Sequence, residues 1–218
     1  MRNVLATQSF EIPVERGTIG ADLHVPQLAT GLVIFAHGSG SSRFSSRNRA
    51  VAEHLNTNRF ATLLVDLLTK AEESVDIYTA EHRFDIDLLA RRVVLATDWA
   101  RNLEALQQFP VGYFGASTGA AAALMAAAER PAIVRTVVSR GGRPDLAEGA
   151  LPLVKAPTLL IVGGNDEPVI EMNRDAMRQM HAKVKLEIVP GATHLFEEPG
   201  TLERVMQLAT TWFGDHLT

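Results

Sequence analysis

Strand-length runs of apolar residues, separated by amphipathic helical stretches, recur along this chain and leave it few folds to choose from. Gly31-Leu32-Val33-Ile34-Phe35-Ala36 and Phe60-Ala61-Thr62-Leu63-Leu64-Val65 place apolar side chains at almost every successive position. Such a strand has both faces covered, which puts it inside a sheet with helices on either side. Val111-Gly112-Tyr113-Phe114, residues 133–139 and Thr158-Leu159-Leu160-Ile161-Val162 repeat the pattern, and 184–189 reads as a further strand. Between them the apolar spacing turns helical: Val51, Ala52 and Leu55 within 46–58; Leu88, Leu89, Val93 and Trp99 within 85–107. Ile170, Met172, Met177 and Met180 mark 169–181, and Leu202, Val205, Trp212 and Phe213 mark 199–216. Strands alternating with helices predict an α/β fold, a mostly parallel central sheet with helices on both faces. The N-terminal part differs. Ile19, Ala21, Leu23 and Val25 alternate with small or polar residues, and Glu15-Arg16-Gly17 joins them to residues 4–14, the pattern of an antiparallel hairpin. Residues 67–82 are polar and mixed and suit a loop or a short helix.

At 218 residues a single domain over 1–218 is expected, with a core large enough to stand without disulfide or metal. A net charge of -4 offers no basic footprint for nucleic acid or a membrane surface, and no apolar run approaches the ~18 residues of a membrane span. The start of the chain lacks a signal-peptide core, so the cytoplasm is the default location. There is no cysteine, which excludes a thiol nucleophile and thiolate metal sites. Neither H-E-x-x-H, nor a phosphate loop, nor a dinucleotide glycine motif occurs, so no metal and no cofactor is expected.

In sheets of this kind ligands sit beyond the carboxyl ends of the strands. Those ends carry His37-Gly38-Ser39, Asp66, Ser117, Arg140-Gly141, Asp166 and, in a small-residue loop, His194. Ser117 lies in Gly115-Ala116-Ser117-Thr118-Gly119, between an apolar strand and an alanine-rich helix. That spacing fits a nucleophile elbow, a tight turn that lifts the serine hydroxyl clear of the sheet and needs small neighbours. A serine needs a base, and His194 is the histidine that follows the last strand. His24, His54, His181 and His216 fall on strands or helices, and His82 is a weaker second candidate. Asp166 would orient the imidazole, although an aspartate before Glu167-Pro168 also suits a helix N-cap. Asp66 is the rival acid, better read as a structural partner of loop amides.

Taken in the order Ser117, Asp166, His194, these residues resemble the α/β-hydrolases, which carry the nucleophile after the fifth strand, an acid after the seventh and a histidine after the eighth. The compact length and the His37-Gly38 loop look most like the branch related to dienelactone hydrolase. The resemblance implies an oxyanion hole of backbone N–H groups, from Thr118 and from Ser39 in the loop after the third strand. It also implies that His37 shapes that loop. Dienelactone hydrolase proper is a cysteine enzyme, so Ser117 departs from the pattern and puts dienelactone itself in doubt as substrate.

Arg43, Arg47, Arg49, Arg140 and Arg143 make the expected rim basic in an acidic chain. Salt bridges with Asp66 or Asp145 would account for them. Alternatively Arg43 or Arg140, with His37, contacts a carboxylate or phosphate on the substrate. The short connection from 139 to 158 leaves no room for a cap domain, so an open, shallow site is expected, with 67–85 as its only cover. The expected activity is a serine hydrolase cleaving small carboxylic esters through an acyl-enzyme. Thioester, lactone or small-peptide hydrolysis uses the same machinery, and a non-catalytic binding or scaffolding module on this fold is the alternative. Oligomeric state is not legible.

Overall fold

The structure, a computed structural model, describes residues 7–217. Its centre is one eight-stranded sheet in the order β1-β2-β4-β3-β5-β6-β7-β8. The strands are β1 (Gln8–Val14), β2 (Gly17–His24), β3 (Gly31–Ala36), β4 (Phe60–Val65), β5 (Val111–Ala116), β6 (Val134–Arg140), β7 (Thr158–Gly163) and β8 (Val184–Val189). β1 and β2 form the expected antiparallel hairpin, and β2 also pairs antiparallel with β4. The remaining pairings are parallel. The hairpin's first strand was expected from residue 4; it starts at Gln8, and residues 4–6 lie outside the described part.

Every residue of β3, β4, β5 and β7 is buried, as their unbroken apolar sequences require. Alternate residues feed two cores. Leu32, Ile34, Tyr113 and Val137 face one side, where α3 (Ile86–Arg101), α4 (Thr118–Glu129) and α5 (Glu167–Gln179) pack. Val33, Phe35, Phe114 and Val138 face the other, covered by α1 (Ser46–Thr57) and α6 (Thr201–His216). Burying a side chain of this size contributes roughly 1.5–3 kcal/mol before conformational entropy is subtracted. Trp212 of α6 is tied to the sheet as well, donating to the Thr136 hydroxyl at 2.7 Å, which in turn donates to the Pro157 carbonyl.

The polar stretch after β4 holds a helix, α2 (Lys70–Thr79). Thr69 accepts from the Glu72 N–H while the Glu72 carboxylate accepts from the Thr69 N–H, a complete capping box. Glu72 is held further by the buried Arg92 of α3 at 2.7 Å. The helix expected over 85–107 stops at Arg101, and a separate 3-10 turn covers Glu104–Leu106. Leu106 keeps its apolar role there, fully buried outside the helix. Between β6 and β7 the chain forms only short 3-10 segments over Pro144–Leu153, with no cap domain. No helix among the described residues is long and apolar enough to cross a membrane.

Candidate active site

The alanine-rich α4 explains how the elbow is built. Its residues from Thr118 to Leu124 are all buried, and between them the run Gly119 to Ala123, with no side chain larger than methyl, lets the helix settle close against β3 and β5. At Gly115 a β-carbon would meet the Ala120 N at 2.8 Å, and at Gly119 it would collide with the carbonyl oxygens of Ala36 and His37. Neither position admits a side chain. Between them Ser117 takes φ 51 and ψ -125, backbone territory open chiefly to glycine. Its N–H donates to the Arg140 carbonyl at 3.3 Å, and its own carbonyl accepts from Arg143 at 3.1 Å and Ala120 at 3.1 Å. The strained turn is thus clamped from the neighbouring strand and from its own helix.

Asp166 follows β7, and His194 follows β8. The His194 Nδ1 and the Asp166 Oδ2 are 2.7 Å apart. A carboxylate accepts, so Nδ1 is the donor of this bond, and in the neutral imidazole that arrangement puts the lone pair on Nε2. Asp166 occupies the N-cap position of α5, yet its side chain caps nothing. The carboxylate is committed to the imidazole. Among the described residues neither the Ser117 hydroxyl nor the His194 Nε2 has a hydrogen-bond partner, and a serine–imidazole bond commonly tightens only with substrate present.

The loop carrying His194 is held by Glu198, which the sequence reading did not single out. Its carboxylate accepts from the Thr193 N–H at 3.1 Å and the Thr193 hydroxyl at 2.6 Å, and these bonds draw its pKa below the usual carboxylate value. The signal lies in Thr193-x-x-x-x-Glu198, a spacing without meaning until the loop is folded.

His37 is a strut. Its Nδ1 donates to the Gly38 carbonyl at 2.9 Å, and its Nε2 accepts from the Leu67 N–H at 3.0 Å. Burial drives its pKa below 6.5, against smaller opposing effects from Gly38 and Asp66. The ring therefore ties the loop after β3 to the end of β4 in its neutral form. In that loop the Ser39 N–H donates to the Thr118 hydroxyl at 2.9 Å, which brings together the two residues expected at the oxyanion hole. Beside it a cleft of about 300 Å³ opens between Gly38, Ser39, Gly40, Leu68, Arg83 and the α2 residue Ile77.

The other expected residues divide. Arg43 is engaged with Asp66 through both its backbone N–H at 2.8 Å and its guanidinium, and it lies over the Phe44 ring at 4.1 Å. Arg49 pairs with Asp22 at 3.1 Å, Arg143 with Asp145 at 2.7 Å and Arg47 with Glu197 at 2.9 Å. Asp66 stands away from the His194–Asp166 contact as a partner of loop groups, and His82 faces Glu81 at 3.3 Å. Arg140, 6% exposed, has no carboxylate partner among the described residues. No group of three or more His, Cys, Asp or Glu among the described residues could hold a metal ion.

A parallel sheet with a strained serine after its fifth strand, an aspartate after its seventh and a histidine after its eighth is an α/β-hydrolase domain. Residues 19–216 match the dienelactone hydrolase family, and the chain belongs to that family. It is 57% identical to the crystal structure of a dienelactone hydrolase from Anabaena variabilis, with 98% of this chain and 99% of that one covered and a TM-score of 0.95. Est1E from Butyrivibrio proteoclasticus shares the fold at 18% identity, with 95% and 98% covered and a TM-score of 0.80. A Mycobacterium tuberculosis protein named "Putative phosphoribosyl transferase" is 56% identical over 209 residues, which is 95% of this chain and 46% of that protein. The chain therefore spans about half the length of that relative.

Proposed function

We propose that the chain is a serine hydrolase of small carboxylic esters, acting through an acyl-enzyme on Ser117. The observation that carries this reading is the 2.7 Å contact between the His194 Nδ1 and Asp166, set at the rim where Ser117 is held in a strained elbow. The Ser117 hydroxyl attacks the ester carbonyl while the His194 Nε2 takes its proton. The C–O bond to the alcohol breaks as the same nitrogen returns that proton to the leaving oxygen. Water, deprotonated by His194, then attacks the acyl-enzyme and frees the acid and Ser117. Asp166 keeps the imidazole in the tautomer this requires and stabilises the imidazolium.

The oxyanion would be held by the Thr118 and Ser39 N–H groups. The Ser39 N–H already has a partner in the Thr118 hydroxyl, which keeps it aimed at this corner and which the oxyanion would replace or share. Losing one such donor typically costs about 3 kcal/mol of transition-state stabilisation. The absence of a cap favours small or flexible esters, with the cleft beside Ser39 as their seat and α2 as its wall. The name of the mycobacterial relative describes a protein of which this chain matches 46%, and it does not bear on the Ser117 chemistry. Labelling by a fluorophosphonate, compared among the native protein, Ser117→Ala and His194→Ala, tests the reading. Loss of label in both variants is expected. A folded native protein that takes no label would overturn it.

A further inference from the structure

The turn at the end of β6, residues 140–143, reaches both Ser117 and His194. The Arg140 carbonyl accepts from the Ser117 N–H at 3.3 Å, and the Arg143 N–H donates to the Ser117 carbonyl at 3.1 Å. Gly141 packs against His194, where a β-carbon would lie 3.0 Å from the His194 carbonyl oxygen and 3.6 Å from the ring Cε1. The Gly141 N–H donates at 2.8 Å to the Ile161 carbonyl of β7, the strand that leads to Asp166. At Gly142 a β-carbon would collide with the Ser139 Oγ and with the Ala120 Cβ of α4. A turn packed this closely passes a small displacement on to its neighbours.

One side chain pins the middle of the turn. Asn173 of α5 is fully buried, and its Nδ2 donates to the Gly142 carbonyl at 3.0 Å and to the Val169 carbonyl at 2.8 Å. Two carbonyl acceptors fix which end of the amide faces the turn. The Oδ1 at the other end is buried without a partner, a cost that an apolar side chain would not carry. Asn173 also stands two helical turns beyond Asp166, so the two share one face of α5. The helix that presents the carboxylate to His194 therefore also holds the clamp on Ser117.

We propose that Asn173 is a positioning residue for hydrolysis: through the Gly142 carbonyl it keeps Ser117 and His194 in register with Asp166. It touches neither the substrate nor the three reacting side chains. The proposal rests on the hydrolase reading and adds a determinant to it that lies outside the rim.

The test compares the native protein with Asn173→Leu, which removes the donor, and Asn173→Asp, which keeps the shape but turns an acceptor toward the Gly142 carbonyl. Ile170→Val is the control, since it trims the packing of the same helix on Val162 and Leu186. Fluorophosphonate labelling rates, and kcat and KM for p-nitrophenyl acetate, are measured below the melting temperature of each variant. Both Asn173 variants should label and turn over about tenfold or more slowly with KM nearly unchanged, because misplacement of the reacting groups is felt in the chemical step. Ile170→Val should melt lower yet label at the native rate. Asn173→Ser, too short to reach Gly142, carries the test if the larger side chains prevent folding. Folded Asn173 variants that label at the native rate, or whose loss is matched by Ile170→Val, would overturn the positioning role and leave the hydrolase reading. A loss confined to KM would overturn it as well, by moving Asn173 to substrate binding. A folded native protein that takes no label would overturn the hydrolase reading itself, and the positioning role with it.

Discussion

Ser117 offers a test of the elbow that needs no substrate. With φ 51 and ψ -125 it sits where a β-carbon is crowded by the backbone, at a cost of order 1–3 kcal/mol. Ser117→Ala and Ser117→Gly both remove the hydroxyl, but only the glycine removes the β-carbon. Glycine also gains freedom in the unfolded chain, which returns about 0.5–1 kcal/mol. The difference is a net gain of about 1 kcal/mol for Ser117→Gly over Ser117→Ala. For a chain of this length that is a melting temperature higher by about 2–4 °C. Urea titration of both variants gives the same comparison at 25 °C, provided the slopes agree. Both should be inactive and unlabelled. A glycine variant as stable as the alanine variant, or less stable, would refute the claim that the fold stores strain at Ser117.

Three further perturbations follow from the same geometry. Asp166→Asn, which presents the wrong partner to the His194 Nδ1, should lower kcat about 10⁴-fold with little effect on melting, checked by steady-state kinetics. Gly119→Ala drives a β-carbon against the Ala36 and His37 carbonyls and should cost about 3 kcal/mol, read as a lower urea midpoint. His37 has a native pKa below its ordinary 6.5, so the unfolded chain binds the extra proton first as pH falls. Its contribution to stability is complete above 6.5 and is lost as pH drops from there toward the lowered native value. The stability difference between native protein and His37→Gln should therefore shrink on acidification over that window, measured by urea midpoints at successive pH values.

The alternation of apolar strands and helices, and the small residues around Ser117, were legible because each is a local demand written in consecutive positions. Apolar runs such as Leu32–Ala36 require two-sided cover, and Gly115 and Gly119 stand where backbone meets backbone. The strand ends then brought Ser117, Asp166 and His194 to one rim. Where the reading stopped short, the reasons differ. Over 67–82 the sequence admits a loop or a short helix; Thr69-x-x-Glu72 is the local signal for α2, but a weak apolar face keeps it from deciding between the two. The end of α3 at Arg101 was obscured because Leu103 and Leu106 continue an apolar pattern through a 3-10 turn. Arginine partners are set by tertiary approach: Arg49 finds Asp22 on β2, and Arg47 finds Glu197 beyond β8. Arg143 finds Asp145 two residues away, a partner the sequence already offered, whereas nothing local shows that Arg140 lacks one.

The strand order carries a consequence for how the chain acquires its chemistry. β5 pairs with β3 and β6, and the imidazole arrives only after β8 has joined the far edge beside β7. Each of these parallel pairings closes a long crossover, so contact order is high and assembly is expected to be slow. On the hydrolase reading proposed above, a nascent or partly folded chain that has formed the elbow still lacks His194, the proposed base for Ser117. Reactivity is thereby postponed to the last docking step. The appearance of label at Ser117 during refolding would serve as a clock for completion of the whole sheet, lagging behind the recovery of secondary structure.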